Sequence, residues 1–132
     1  MKLRILLAIV LGFIALSVYA DPYTHNLNGS DALFPAPLWQ TMAAIIDIVL
    51  LIAATVSLLR DLSRPTVVLV ATELLYALAF NAILIYRDGV ERFIWGYDAQ
   101  RHVLDFVVVF ALRIGVLFAL MERLRHREGR AA

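Results

Sequence analysis

Three runs in this chain, Thr41 to Leu59, Thr66 to Tyr86 and Val103 to Met121, are long and apolar with hardly a charge among them. A helix crosses a bilayer in about 20 mostly apolar residues, so each run has the length of a membrane span. A water-soluble fold has no place for all three. Of the 132 residues 62% are apolar and 17% charged, whereas soluble domains average roughly 45–50% and about 25%. At this size folding buries only about 60–70% of the chain's surface. With a mean hydropathy of +0.81, the remaining side chains must face something other than water. A disordered chain, an ordinary soluble enzyme and a nucleic-acid module are thereby excluded, and a net charge of +1 does not suit a polyanion partner. No cysteine is present, so there is no disulfide, thiolate metal site or cysteine nucleophile.

A fourth apolar segment, Leu3 to Ala20, follows Lys2 and includes Arg4. It has two readings. A basic start, an apolar middle and small residues at Val18 and Ala20 match a secretory signal peptide, which would be cut after Ala20. The same run also serves as an uncleaved first helix. The expected fold is therefore an all-α integral membrane protein, an antiparallel bundle of four transmembrane helices, or three if the first segment is removed. The organisation is a single membrane domain: segment 3–20, outer loop 21–38, span 39–59, inner turn 60–65, span 66–86, outer loop 87–101, span 103–121 and basic tail 122–132.

Charge sets the orientation. Lys2, Arg4, Arg60, Arg64, Arg123, Arg125, Arg127 and Arg130 fall on one side. The opposite loops dilute Arg87, Arg92 and Arg101 with Asp21, Asp31, Asp88, Glu91 and Asp98. The positive-inside rule then puts the C-terminus in the cytoplasm, and the N-terminus too if the first segment stays. A bacterial inner membrane is the expected location. Trp39, Trp95, Tyr97, Tyr19, Tyr23 and Tyr86 gather toward the outer boundary, where a flat ring with one polar atom suits the headgroup layer. The plain reading is an anchoring belt, with Trp39, Trp95 and Tyr97 as its interface aromatics; the sharper one is that these rings line a docking surface for a partner.

The loops differ in kind. Arg60 to Pro65 is a tight turn, with proline suited to open the next helix, and it makes the second and third segments antiparallel neighbours. Asp88-Gly89 reads as a turn. The segment after it mixes Phe93, Ile94, Trp95 and Tyr97 with charges, as a surface-lying stretch would. The tail from Glu122 reads as a basic, solvated helix end suited to anionic lipid.

Asp47, Glu73 and Arg113 are the residues that hydrocarbon should reject. Each costs about 2.5–3.5 kcal/mol at a helix centre on the insertion scale, so each must face the bundle interior or a partner. At ~1.5 Å per residue, Asp47 lies roughly 12 Å below the outer boundary, Arg113 roughly 16 Å and Glu73 roughly 20 Å. Arg113 is level with the gap between the acids, so either is in its reach. Helical phase agrees: Gln40, Ala43, Asp47, Leu51 and Ala54 share one stripe, and Glu73, Tyr76, Ala77, Phe80 and Leu84 another, with Asn81 on its flank. On the last segment His102, Asp105, Val109 and Arg113 follow the same spacing. One internal polar seam is expected, built on Asp47, Glu73 and Arg113 and flanked by Tyr76 and Asn81. Two acids against one base mean that a carboxyl keeps its proton or the seam admits water.

His102 and Asp105 lie three residues apart on one helix face near the outer end. One such pair, with His25 or Asp31 from a loop, falls short of the dense ligand spacing of metal sites; an interfacial ion pair is the better reading. Haem would need histidines at bundle depth on facing helices, and none is there. No cofactor or metal is expected. Nothing pairs a nucleophile with a base or forms a phosphate-cradling glycine loop, so no enzyme is expected. The leading expectation is a non-catalytic accessory, assembly or stabilising subunit of a larger membrane complex. Its partners would be the bilayer and a membrane protein or further copies of itself. The rival is a homo-oligomeric, ion- or proton-coupled transporter or channel using Asp47, Glu73 and Arg113. A sensor or quinone site at His102 and Tyr76 is a third.

Overall fold

The computed structural model describes residues 2–20, 38–89 and 99–131, without the side chains of 88, 99–106, 130 and 131. It is an all-α four-helix bundle. The helices are α1 (Lys2–Ala20), α2 (Leu38–Arg60), α3 (Arg64–Asp88) and α4 (Ala99–Ala131). Among the described residues α1, α2 and α3 are long and apolar enough to cross a membrane. All four helices exceed the expected spans, and the inner turn contracts to Asp61–Ser63.

Each helix packs on its two neighbours in the order α1, α2, α3, α4 and back to α1. The order follows from where the buried positions fall. On α2 they are Gln40, Ala44, Asp47, Leu51, Ala54 and Leu58. On α3 they are Thr66, Val70, Glu73, Ala77, Phe80 and Leu84, and on α4 Val109, Arg113, Val116 and Leu120. Alternating steps of four and three keep one narrow stripe turned inward, the spacing of helices packed at a shallow angle. Ala44 rather than Ala43 occupies that stripe; Ala43 is half-buried at its edge. On α1 the inward residues are Leu7, Ala8, Leu11 and Ile14. Outside the stripes the surface is apolar, as at Leu16, Leu75 and Phe118.

The apolar interior comes in two parts. A large cluster joins Leu7, Leu11 and Ile14 of α1 to Leu51 and Leu58 of α2, Val70 of α3 and Val116 and Leu120 of α4. A smaller one holds Ala44, Phe80 and Leu84, toward the far end of α2 and α3.

The turn between α2 and α3 is closed by hydroxyls. Thr66 is fully buried. Its Oγ1 donates to the Asp61 carbonyl at 3.1 Å and lies 2.7 Å from Ser57 Oγ and 3.3 Å from Ser63 Oγ. Ser63 precedes the helix in extended conformation and Pro65 sits in its first turn, where a missing N–H costs nothing. Thr66→Val keeps the shape and strands the Asp61 carbonyl and Ser57 hydroxyl. It should cost about 1–3 kcal/mol, the usual penalty for orphaning a buried polar partner. Unfolding of the detergent-solubilised protein in a denaturing detergent, followed by circular dichroism, measures it. At its other end α3 stops at Gly89, whose φ of +86° suits only glycine and whose N–H bonds the Ile85 carbonyl at 2.7 Å.

The basic tail is an exposed helix end. α4 continues through it and ties back to the α2–α3 turn. Arg127 Nη1 donates to the Leu62 carbonyl at 2.9 Å and lies 3.3 Å from Asp61 Oδ1. Arg64 Nε donates to Glu128 at 2.8 Å. These pairs are exposed, so each contributes about 0–1 kcal/mol. They fix where α4 leaves the bundle more than they stabilise it.

Candidate functional site, a buried Arg113–Glu73–Asp47 layer

Arg113 stands on α4, diagonally opposite α2. Its side chain crosses the bundle to meet both acids. Nε donates to Glu73 Oε1 and Oε2 at 3.0 and 3.1 Å, Nη2 reaches Glu73 Oε1 at 3.0 Å, and Nη2 donates to Asp47 Oδ2 at 3.3 Å. Arg113 and Asp47 are each 3% exposed and Glu73 1%. Only a long, flat guanidinium with forked donors serves two carboxylates on two helices at once. The Phe110 ring, one turn back on α4, covers the guanidinium at 5.0 Å.

The layer is unevenly satisfied. Glu73 holds the short contacts, whereas Asp47 has one longer bond and its Oδ1 is buried without a hydrogen-bond partner. One cation serves two acids here, so the layer has room for one more positive charge, carried by a proton or an ion.

Tyr76 and Asn81 take different parts. Tyr76 Oη donates to the Ala43 carbonyl at 2.7 Å. That carbonyl is the one the Asp47 N–H bonds within the helix, so the bond pins α3 to the turn of α2 that carries Asp47. Asn81 does not join the layer. Its Nδ2 donates to the Ala77 carbonyl of its own helix at 2.7 Å, the local bond open to a polar residue with no partner across the interface.

At the far end of the α2–α3 seam, Gln40 is buried and its Oε1 accepts from Arg87 Nη1 at 2.6 Å. The Arg87 guanidinium also lies 5.8 Å from the Trp39 ring centroid. Trp39 is half exposed and Arg87 holds its face. Trp95 and Tyr97, and the side chains of His102 and Asp105, lie outside the described residues. The Gln40–Arg87 contact was not anticipated. The signal for it was Gln40's place on the same stripe as Asp47. Among the described residues no group of His, Asp and Glu has the arrangement of a metal site.

Compared with protein-family models, with curated proteins and with solved structures, the chain matches none.

Proposed function

We propose that this protein is a small multi-pass membrane subunit that performs no chemistry and serves the assembly or stability of a larger membrane complex. In this reading all four helices span the bilayer, with both termini in the cytoplasm, and the membrane is a bacterial inner membrane. The end that gathers Arg4, Arg60, Arg64, Arg123 and Arg127 faces inward, as the positive-inside rule requires.

The observation that carries this reading is that Arg113 is held by two acids of its own chain. Intramembrane charges pair with one another inside a bundle or line a water-filled path. Here the charges close on one another within the bundle and set helix register. What is left to meet a partner is the apolar exterior.

A tagged copy extracted from its own host membranes in mild detergent tests this. Crosslinking and native electrophoresis should give one membrane protein recovered with it in fixed ratio. Recovery of the isolated chain alone, before and after crosslinking, counts against it.

One observation favours the transporter. Asp47 Oδ1 has no hydrogen-bond partner among the described residues, and the layer sets two acids against one cation. Flux into proteoliposomes separates the readings. If Glu73→Gln stops flux while leaving stability intact, the transporter stands; if it weakens only the bundle or its assembly, the subunit stands.

A further inference from the structure

At the end where α1 begins and α2 and α4 converge, the bundle opens into a crevice of about 590 Å³, within the range of roughly 300–1,000 Å³ typical of small-molecule sites. Its floor is apolar, with Leu7, Leu58 and Leu120 at the base. Its rim is basic: Arg4 comes from α1, and Arg123 and Arg127 from successive turns of α4. Asp61 is the acid among the lining residues, and it is engaged by Arg127 at 3.3 Å. His126, also on the rim, is tied to Glu122 at 3.1 Å.

Two donors remain unused. The Nε of Arg4 is buried and has no hydrogen-bond partner, and Arg123 makes no hydrogen bond or ion pair with the described residues. Helix α1 thus holds a guanidinium at the mouth of a greasy slot, with no acceptor for its Nε among the described residues. Guanidinium N–H groups bind phosphate oxygens in fork geometry. An apolar floor beneath such a rim suits a ligand whose anionic head continues into hydrocarbon.

We propose that this crevice is a binding site for the phosphodiester headgroup of an anionic phospholipid of the inner leaflet. The phosphate sits between Arg4 and Arg123, and the start of an acyl chain lies on Leu7, Leu58 and Leu120. The site rests on the membrane reading above, and it adds a defined lipid partner to it. Basic pockets between helices on the cytoplasmic side recognise lipid headgroups by this chemistry. A bound lipid would join α1 to α4 at the end where Arg4 otherwise keeps an unsatisfied donor.

Native mass spectrometry of the full chain in detergent tests the site, with phosphatidylglycerol, phosphatidylcholine or soluble glycerol phosphate added. Phosphatidylglycerol should be retained at least tenfold better than phosphatidylcholine, and glycerol phosphate should neither bind alone nor displace it. Arg4→Gln and Arg123→Gln, singly and together, should each lower that preference, the double variant abolishing it. Arg123 is exposed, so its variant reads binding with the fold intact. Arg60→Gln with Arg125→Gln removes equal charge away from the crevice and should leave the preference unchanged. Equal retention of the two lipids, an equal loss in the control pair, or full displacement by glycerol phosphate would each overturn the lipid site. Failure of the membrane reading is seen separately, as protein recovered in the soluble fraction without detergent.

Discussion

Arg113→Met is expected to destabilise the bundle by about 3–5 kcal/mol, the cost of removing one partner from a buried ion pair. The loss comes less from the missing contacts than from what stays behind: two carboxyl groups, hardly exposed, with no cation between them. Interhelical hydrogen bonds in membranes average only about 0.6 kcal/mol. Losing the Tyr76 bond to α2 should thus be a small effect beside this one.

The single variants should rank by geometry. Glu73→Gln should cost more than Asp47→Asn, because Glu73 takes the contacts at 3.0–3.1 Å and Asp47 one at 3.3 Å. Arg113→Lys should recover only part of the loss, since a compact ammonium lacks the fork that serves both acids. Asp47→Leu, Glu73→Met and Arg113→Met combined should match the parent or exceed it by about 1–4 kcal/mol, as apolar replacements of buried ion triads do elsewhere. Unfolding in mixed micelles, followed by circular dichroism, measures the series. A triple variant as damaged as the single one would mean that the layer does something other than hold the helices together.

Deleting residues 2–20 is expected to abolish the bundle. Leu11 and Ile14 are buried at 1% and 0%, packed against α2 and α4 in the large apolar cluster. Truncating one such side chain costs about 2–5 kcal/mol in a soluble core. Deletion removes both, together with Leu7 and Ala8, and takes away one of the four walls around the charged layer. In lipid that wall matters for a different reason than in water. Acyl chains replace an apolar neighbour with little loss, but they offer no substitute for a cover over Arg113 and Asp47. The protein in its membrane should therefore keep Leu3–Ala20, and intact-mass measurement should find them. A mature chain starting at Asp21 that remains folded would restore the signal-peptide reading.

Much of this architecture was legible because a bilayer leaves a helix few choices. Length and hydropathy marked three helices able to cross a membrane, and phase gave the stripes. Rise per residue put Arg113 between Asp47 and Glu73 in depth, and the structure joins it to both. What could not be read depends on choices between near-equal local options. Asn81 sits on the flank of its stripe, and its bond to the Ala77 carbonyl competes with any partner across the seam. Ala43 and Ala44 are both small, and one residue of helix rotation decides which is buried. The tail's ties to the α2–α3 turn could not be read because Asp61, the Leu62 carbonyl and Arg64 lie some sixty residues away. The basic crevice was hidden for the same reason: its arginines come from opposite ends of the chain. The sequence suggested two fates for the first segment, and the mass of the mature chain decides between them.

The central claim is that Arg113 meets Glu73 and Asp47 of the same chain inside a lipid-embedded bundle. Solid-state NMR of the protein in bilayers, with arginine labelled at its guanidinium nitrogens and the acids at their carboxyl carbons, measures this directly. Diluting labelled with unlabelled chains removes contacts between copies. The account predicts dipolar couplings from the Arg113 nitrogens to the carboxyl carbons of both Glu73 and Asp47, at the separations of direct hydrogen bonds and unchanged by dilution. Couplings absent for both acids, or lost on dilution, would contradict it.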